Sequence, residues 1–191
     1  DLFLVKYNSS GTKQWTKLLG TSTHEYAYGI AVDSSNNIYL TGGTYGALDG
    51  QTNSGRWDIF LVKFDSSGTK KWTKLLGNSE DQYGYGVTVD SSNNISVTGN
   101  TLGELDNQTN SGYEDIFLVK YNSGGTKQWT KLFGTSSAYE AGFGVTSDSS
   151  DNLYVTGRTT GALDGSTNSY NGYDIFLIKY NSSGTKQWTK Q

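Results

Sequence analysis

Carboxylate, amide and aromatic groups recur at fixed intervals along this 191-residue chain, and each recurrence offers a distinct chemistry. Asp33, Asp90 and Asp148 each open a polar stretch of the DSSNN type, followed by Asn36 and Asn37, Asn93 and Asn94, or Asp151 and Asn152. Calcium takes six to eight oxygens of this kind, so it is the candidate cofactor. The stretches lack the D-x-[DN]-x-[DN]-G spacing and its closing Glu. Asp at the start of a tight turn also accepts backbone donors two residues on, which makes a turn anchor the favoured reading.

A second set lies in three longer connectors, TYGALDGQTNSGRWD, TLGELDNQTNSGYED and TTGALDGSTNSYNGYD. Asp49, Asn53 and Trp57 recur as Asp106, Asn110 and Tyr113, and again as Asp164, Asn168 and Tyr173. A carboxylate and an amide beside an aromatic ring can hold sugar hydroxyls against a stacking platform. Copies on successive units would then bind multivalently. The competing reading is a structured loop, in which Leu48, Leu105 and Leu163 plug between units and the following Asp caps backbone donors.

The residues that do not repeat are His24, Glu25, Arg56, Glu80, Asp81, Glu114, Glu140 and Arg158. His24-Glu25 suggests acid–base work and Glu80-Asp81 a glycosidase pair, but neighbours on a strand point to opposite faces. An exposed variable loop accounts for them, and no catalytic residue is assigned. Asn8, Asn94, Asn107 and Asn181 head Asn-x-Ser/Thr sequons, the glycosylation candidates.

The elements that must position these groups follow from composition and repetition. Apolar residues are 34% and charged residues 17%, with 25 Gly and no Pro, Cys or Met, so Gly, Ser, Thr and Asn fill the gap. That excludes a helical bundle, while 14 Tyr, 7 Phe and 5 Trp can bury too much surface for a disordered chain. Without Cys there is no disulfide or thiolate chemistry, and one histidine cannot build a multi-histidine zinc site. A net charge of −3 offers no basic face for nucleic acid, and no apolar run is long enough for membrane insertion as a helix. Residue 1 is Asp and no signal peptide is visible, so a processed product or an excised piece is expected.

The block DLFLVKYNSSGTKQWTKLLG at Asp1 returns at Asp58, Asp115 and Asp174, at intervals of 57, 57 and 59 residues. Between its copies stand YGIAVDSSNNIYLTGGT, YGVTVDSSNNISVTGNT and FGVTSDSSDNLYVTGRT. Each unit therefore carries four runs of alternating apolar and polar residues joined by short polar turns, which predicts a four-stranded antiparallel sheet. Lys6, Lys63, Lys120 and Lys179 recur with the module, as do Trp15, Trp72, Trp129 and Trp188, which marks them as structural positions. Four strands in a repeat of this length make a propeller-type blade.

GIAVDSSNNIYLTG, DIFLVKYNSSGTKQWTK and LLGTS together resemble the bacterial β-propeller repeat called SBBP, and more distantly NHL-type blades. The resemblance covers nearly the whole chain. It implies that the GIAVD strand is innermost, that the protein is secreted or at the cell surface, and that it has no assigned catalytic activity. The phase then gives an outer half-blade at 1–20 and blades at 21–77, 78–134 and 135–191. The fold class is thus all-β, with about three and a half blades of four antiparallel strands.

Closed propellers have four to eight blades, so this arc leaves open edges. Self-association is the expected way to cover them, with flanking blades of a longer parent chain as the alternative. The expected function is a non-enzymatic extracellular scaffold for assembly or protein binding. A multivalent lectin-like propeller is the alternative, and a hydrolase fragment ranks below both.

Overall fold

The computed structural model describes residues 1–168 and 172–191. The protein is almost entirely β, with antiparallel sheets stacked as successive blades. A two-stranded hairpin of β1 (Leu2–Tyr7) and β2 (Lys13–Leu19) comes first. The first complete blade holds β3 (Glu25–Val32), β4 (Ile38–Thr44), β5 (Asp58–Phe64) and β6 (Lys70–Leu76). The second holds β7 (Gln82–Val89), β8 (Ile95–Thr101), β9 (Asp115–Tyr121) and β10 (Lys127–Phe133). The third holds β11 (Glu140–Ser147), β12 (Leu153–Thr159), β13 (Asp174–Tyr180) and β14 (Lys186–Lys190). Strands pair in chain order, and β3, β7 and β11 pack directly on one another at the inner edge of the arc.

Alternation along a strand sends successive side chains to opposite faces, and each face meets a different neighbour. In β5, Ile59 and Leu61 enter the core shared with the second blade, whereas Phe60, Val62 and Phe64 enter the core shared with the β1–β2 hairpin. In β9, Phe117 and Val119 face back while Ile116 and Leu118 face the third blade. The cores therefore lie between sheets, and β4, β5, β8 and β9 are buried along most of their length.

The hairpin turns are fixed by their own side chains. Asp33 Oδ1 accepts the Ser35 and Asn37 amides at 2.9 and 2.8 Å, and Asn36 takes the left-handed conformation that Asn tolerates. The Asn8 turn between β1 and β2 has the same form, with Oδ1 accepting the amides of Ser10 and Thr12.

The first strand of each blade is longer than the sequence suggests. β3 begins at Glu25, three residues before Tyr28, and its ladder shifts register between Ala27 and Gly29. The shift recurs between Gly84 and Gly86 and between Gly142 and Gly144. Each is a β-bulge with one extra residue, and the extras are Tyr28, Tyr85 and Phe143.

Candidate functional site: an aromatic row along the inner strands

A bulge bends its strand and re-aims the extra side chain. Here the three bulges set Tyr28, Tyr85 and Phe143 in a row from blade to blade, with ring centroids 5.2 and 5.4 Å apart. Glycines beside them allow the approach. A Cβ on Gly29 would lie 2.8 Å from the Tyr85 carbonyl oxygen, and one on Gly86 would lie 2.9 Å from that of Phe143. Larger residues would hold the inner strands apart and open the row.

More rings extend it. Trp57 stacks on Tyr26 at 5.3 Å and meets Tyr83 at 5.6 Å, and Tyr83 lies 6.3 Å from Tyr85. At the third blade, the Arg158 guanidinium sits 5.4 Å from the Phe143 ring and 4.2 Å from that of Tyr173. Tyr113 and Tyr139 stack on each other at 4.9 Å as a pair of their own. Tyr28, Phe143 and Tyr173 are each about half exposed. Burial, and then the neighbouring Tyr28, push the Tyr85 phenol up to about 12, so it stays neutral at ordinary pH. The row therefore presents flat apolar faces tipped with neutral hydroxyls and one cation, a surface suited to holding a ligand.

The connectors have a different role. Leu48, Leu105 and Leu163 are buried to within 1% of full burial. Asp49 is bound by Lys70 and Thr73, and Asp106 by Lys127 and Thr130, each within its own blade. Asp164 pairs with Lys186 at 2.5 Å and accepts Thr189 Oγ1 at 2.5 Å. The amides of Asn53, Asn110 and Asn168 donate to the carbonyls of Thr44, Thr101 and Thr160. Each Asp–Asn pair is thus engaged by its own blade. The aromatic members, Trp57, Tyr113 and Tyr173, lie instead among the rings described above.

The turn carboxylates are also engaged. Asp33 Oδ2 accepts Asn37 Nδ2 and the Tyr39 hydroxyl, Asp148 does the same with Asn152 and Tyr154, and Asp90 is bound by Asn94. These donors would have to leave before a cation could be ligated. Among the described residues no three His, Asp or Glu side chains converge as a metal site would require. Of the sequon residues, Asn8 and Asn107 are exposed, whereas Asn94 and Asn181 are partly buried.

The expectation of an exposed loop fails for part of the non-repeating set. Glu25 is 4% exposed and Glu140 fully buried, at the same blade position as the fully buried Gln82. Thr21 donates to Glu25 at 2.5 Å and Thr135 to Glu140 at 2.8 Å, while the Asn78 amide donates to Gln82 at 3.0 Å. Matching Glu25 and Glu140 as copies of one position, with Thr four or five residues earlier, would have revealed this. Arg56 pairs with Asp81 at 3.6 Å across a blade junction.

Residues 14–48, 71–106 and 128–164 match the β-propeller repeat SBBP. The chain belongs to the SBBP repeat family. Each match runs from the outer strand of one blade through the two inner strands of the next and ends at the buried Leu or the Asp after it. The SBBP repeat thus spans the junction that holds the blades together. This SBBP chain is also similar to the regulatory protein FlaEY of Caulobacter vibrioides, 28% identical over 96% of the chain. It is 30% identical over 98% of its length to the uncharacterized WD repeat-containing protein L264 of Acanthamoeba polyphaga mimivirus. The chain spans 22% and 18% of the lengths of these two relatives.

Proposed function

We propose that this SBBP chain is a non-enzymatic scaffold that holds a protein partner across the inner-strand aromatic row. The observation that carries the reading is the row of Tyr28, Tyr85 and Phe143, which bulges deliver from three successive blades and leave partly open. Aromatic residues are enriched where proteins meet, because they offer large contact area at small entropic cost. The family membership and the relatives' names, a regulatory protein and a WD repeat-containing protein, support the same reading. The inward bonding of the connector Asp and Asn groups favours it over a sugar site there.

A library of displayed extended peptides, selected on the immobilised chain, tests the proposal. Enriched peptides should lose at least tenfold in affinity for the triple variant Tyr28→Ala, Tyr85→Ala, Phe143→Ala. Failure to enrich any peptide, or equal binding to the triple variant, would refute it.

A further inference from the structure

The same junction is built three times within the chain, and the two ends of the arc carry its unmatched halves. At each internal junction a third-strand lysine reaches the next blade's outer turn. Lys6 Nζ donates to the Ser66 carbonyl at 2.9 Å, Lys63 to that of Ser123 at 3.2 Å and Lys120 to that of Ser182 at 3.4 Å. A glycine of that turn lies on the preceding blade's tryptophan, so that a Cβ on Gly68, Gly125 or Gly184 would come within 3.0–3.1 Å of the indole of Trp15, Trp72 or Trp129. Beneath these contacts, two aliphatic residues of one third strand pack against an aromatic and an aliphatic residue of the next.

The C-terminal blade offers the donor half, on which no other described residues pack. Ile175 is 81% exposed, although its equivalents Ile59 and Ile116 are 3% and 2% exposed. Trp188 is also exposed, and Lys179 rests over the Tyr154 ring of its own blade at 5.1 Å. The β1–β2 hairpin offers the acceptor half. Phe3 is 70% exposed where Phe60, Phe117 and Phe176 are buried, and Gly11 has nothing within 4 Å of its would-be Cβ.

We propose that the C-terminal blade of one copy seats on the β1–β2 hairpin of a second copy. Ile175 then meets Phe3, Trp188 lies under Gly11, and Lys179 donates to the Ser9 carbonyl. The occupant is a second copy because the two faces are successive sides of one repeating interface, and the chain itself shows three times how they fit. The contact is heterologous, so it leaves a free face at each end of a pair, and it stops growing only when the ends meet. Two copies joined at both ends would place eight blade positions in a ring, within the range propellers use. The repeated junction carries this association whether or not the aromatic row, whose Tyr28 lines one hollow with Phe3, holds a partner.

Light scattering coupled to size exclusion, over a concentration series, reads the result. The unmodified chain should approach at least twice its 20.8 kDa mass. Phe3→Asp and Ile175→Asp, both at exposed positions, should each keep the circular dichroism of the parent and run as monomers. Each variant retains the face that the other lacks, so an equimolar mixture should recover particles of two chains and no larger. A monomeric parent at every concentration would overturn the proposal and leave these faces to flanking blades of a longer polypeptide. Association that survives both substitutions, or a mixture that stays monomeric, would overturn it as well.

Discussion

Glu140 and Asp115 are buried carboxyl groups from consecutive blades, and the Asp115 charge adds to the cost of ionising Glu140. Burial is the larger cause, and with Asp115 nearby it lifts Glu140 from its ordinary 4.5 to about 6, while burial also raises Asp115. Glu140 Oε2 has no hydrogen-bond partner among the described residues. A carboxyl with a raised folded pKa contributes stability that is complete below the unfolded value and is lost as pH rises through the folded value. The shift corresponds to about 2 kcal/mol.

Glu140→Gln should remove this loss, as Gln82 already does at the matching position. Denaturant titrations at about pH 4 and about pH 7.5 should show the variant gaining on the parent by about 2 kcal/mol between the two. An unchanged difference would mean that the pair does not titrate with folding.

Among the described residues the Lys120–Asp90 ion pair, at 2.8 Å with both side chains buried, is particular to the second blade. The first and third blades use Tyr39 and Tyr154 to hold Asp33 and Asp148, and the second has Ser96 at that place. Lys120→Met should cost about 3 kcal/mol by leaving a buried charge unpaired. Adding Ser96→Tyr should recover part of it, because the new hydroxyl can donate to Asp90. Urea midpoints of the single and double variants check both.

Gly86 and Gly144 make a matched pair of substitution sites. A Cβ on Gly86 meets backbone of the third blade at 2.9 and 3.1 Å, whereas one on Gly144 meets only a Thr156 methyl at 3.2 Å. Gly86→Ala should cost about 1–3 kcal/mol by overpacking the junction. Gly144→Ala should be neutral to within about 1 kcal/mol. Thermal melts of the two variants separate these outcomes.

Leu105→Ala should cost about 2–5 kcal/mol, since the side chain is 1% exposed in the core of the second blade. Asp106→Ala should cost about 1 kcal/mol, because its pair with Lys127 is partly exposed. Chemical denaturation of both variants measures how much the connector is a structural plug.

The repeat made the fold legible. Once DIFLVKY and GIAVD recur with polar turns between them, four antiparallel strands per unit follow from alternation alone. The aromatic row was less so, because Tyr28 reads as an ordinary strand residue until the register shift between Ala27 and Gly29 is known. The only local hint is an aromatic set among glycines, as in Gly84-Tyr85-Gly86. Asp49 and Asn53 have bonding partners that the sequence hides. Their types suit a ligand, but whether Lys70, Thr73 and the Thr44 carbonyl lie within reach depends on how the connector folds back over its blade.

Where β7 and β11 begin, the backbone is handed between blades. The Gln82 amide donates to the Trp57 carbonyl at 2.7 Å and the Glu140 amide to that of Glu114 at 3.0 Å. Each bond joins the chain just before one blade's third strand to the opening residue of the next blade's first. In a one-dimensional array, stability divides between the units and the coupling of neighbours. Because the hand-over ties the start of one sheet to the middle of the previous one, opening a blade removes a peptide partner from its neighbour. The arc should therefore unfold as one cooperative body, and fraying should begin at its first and last units.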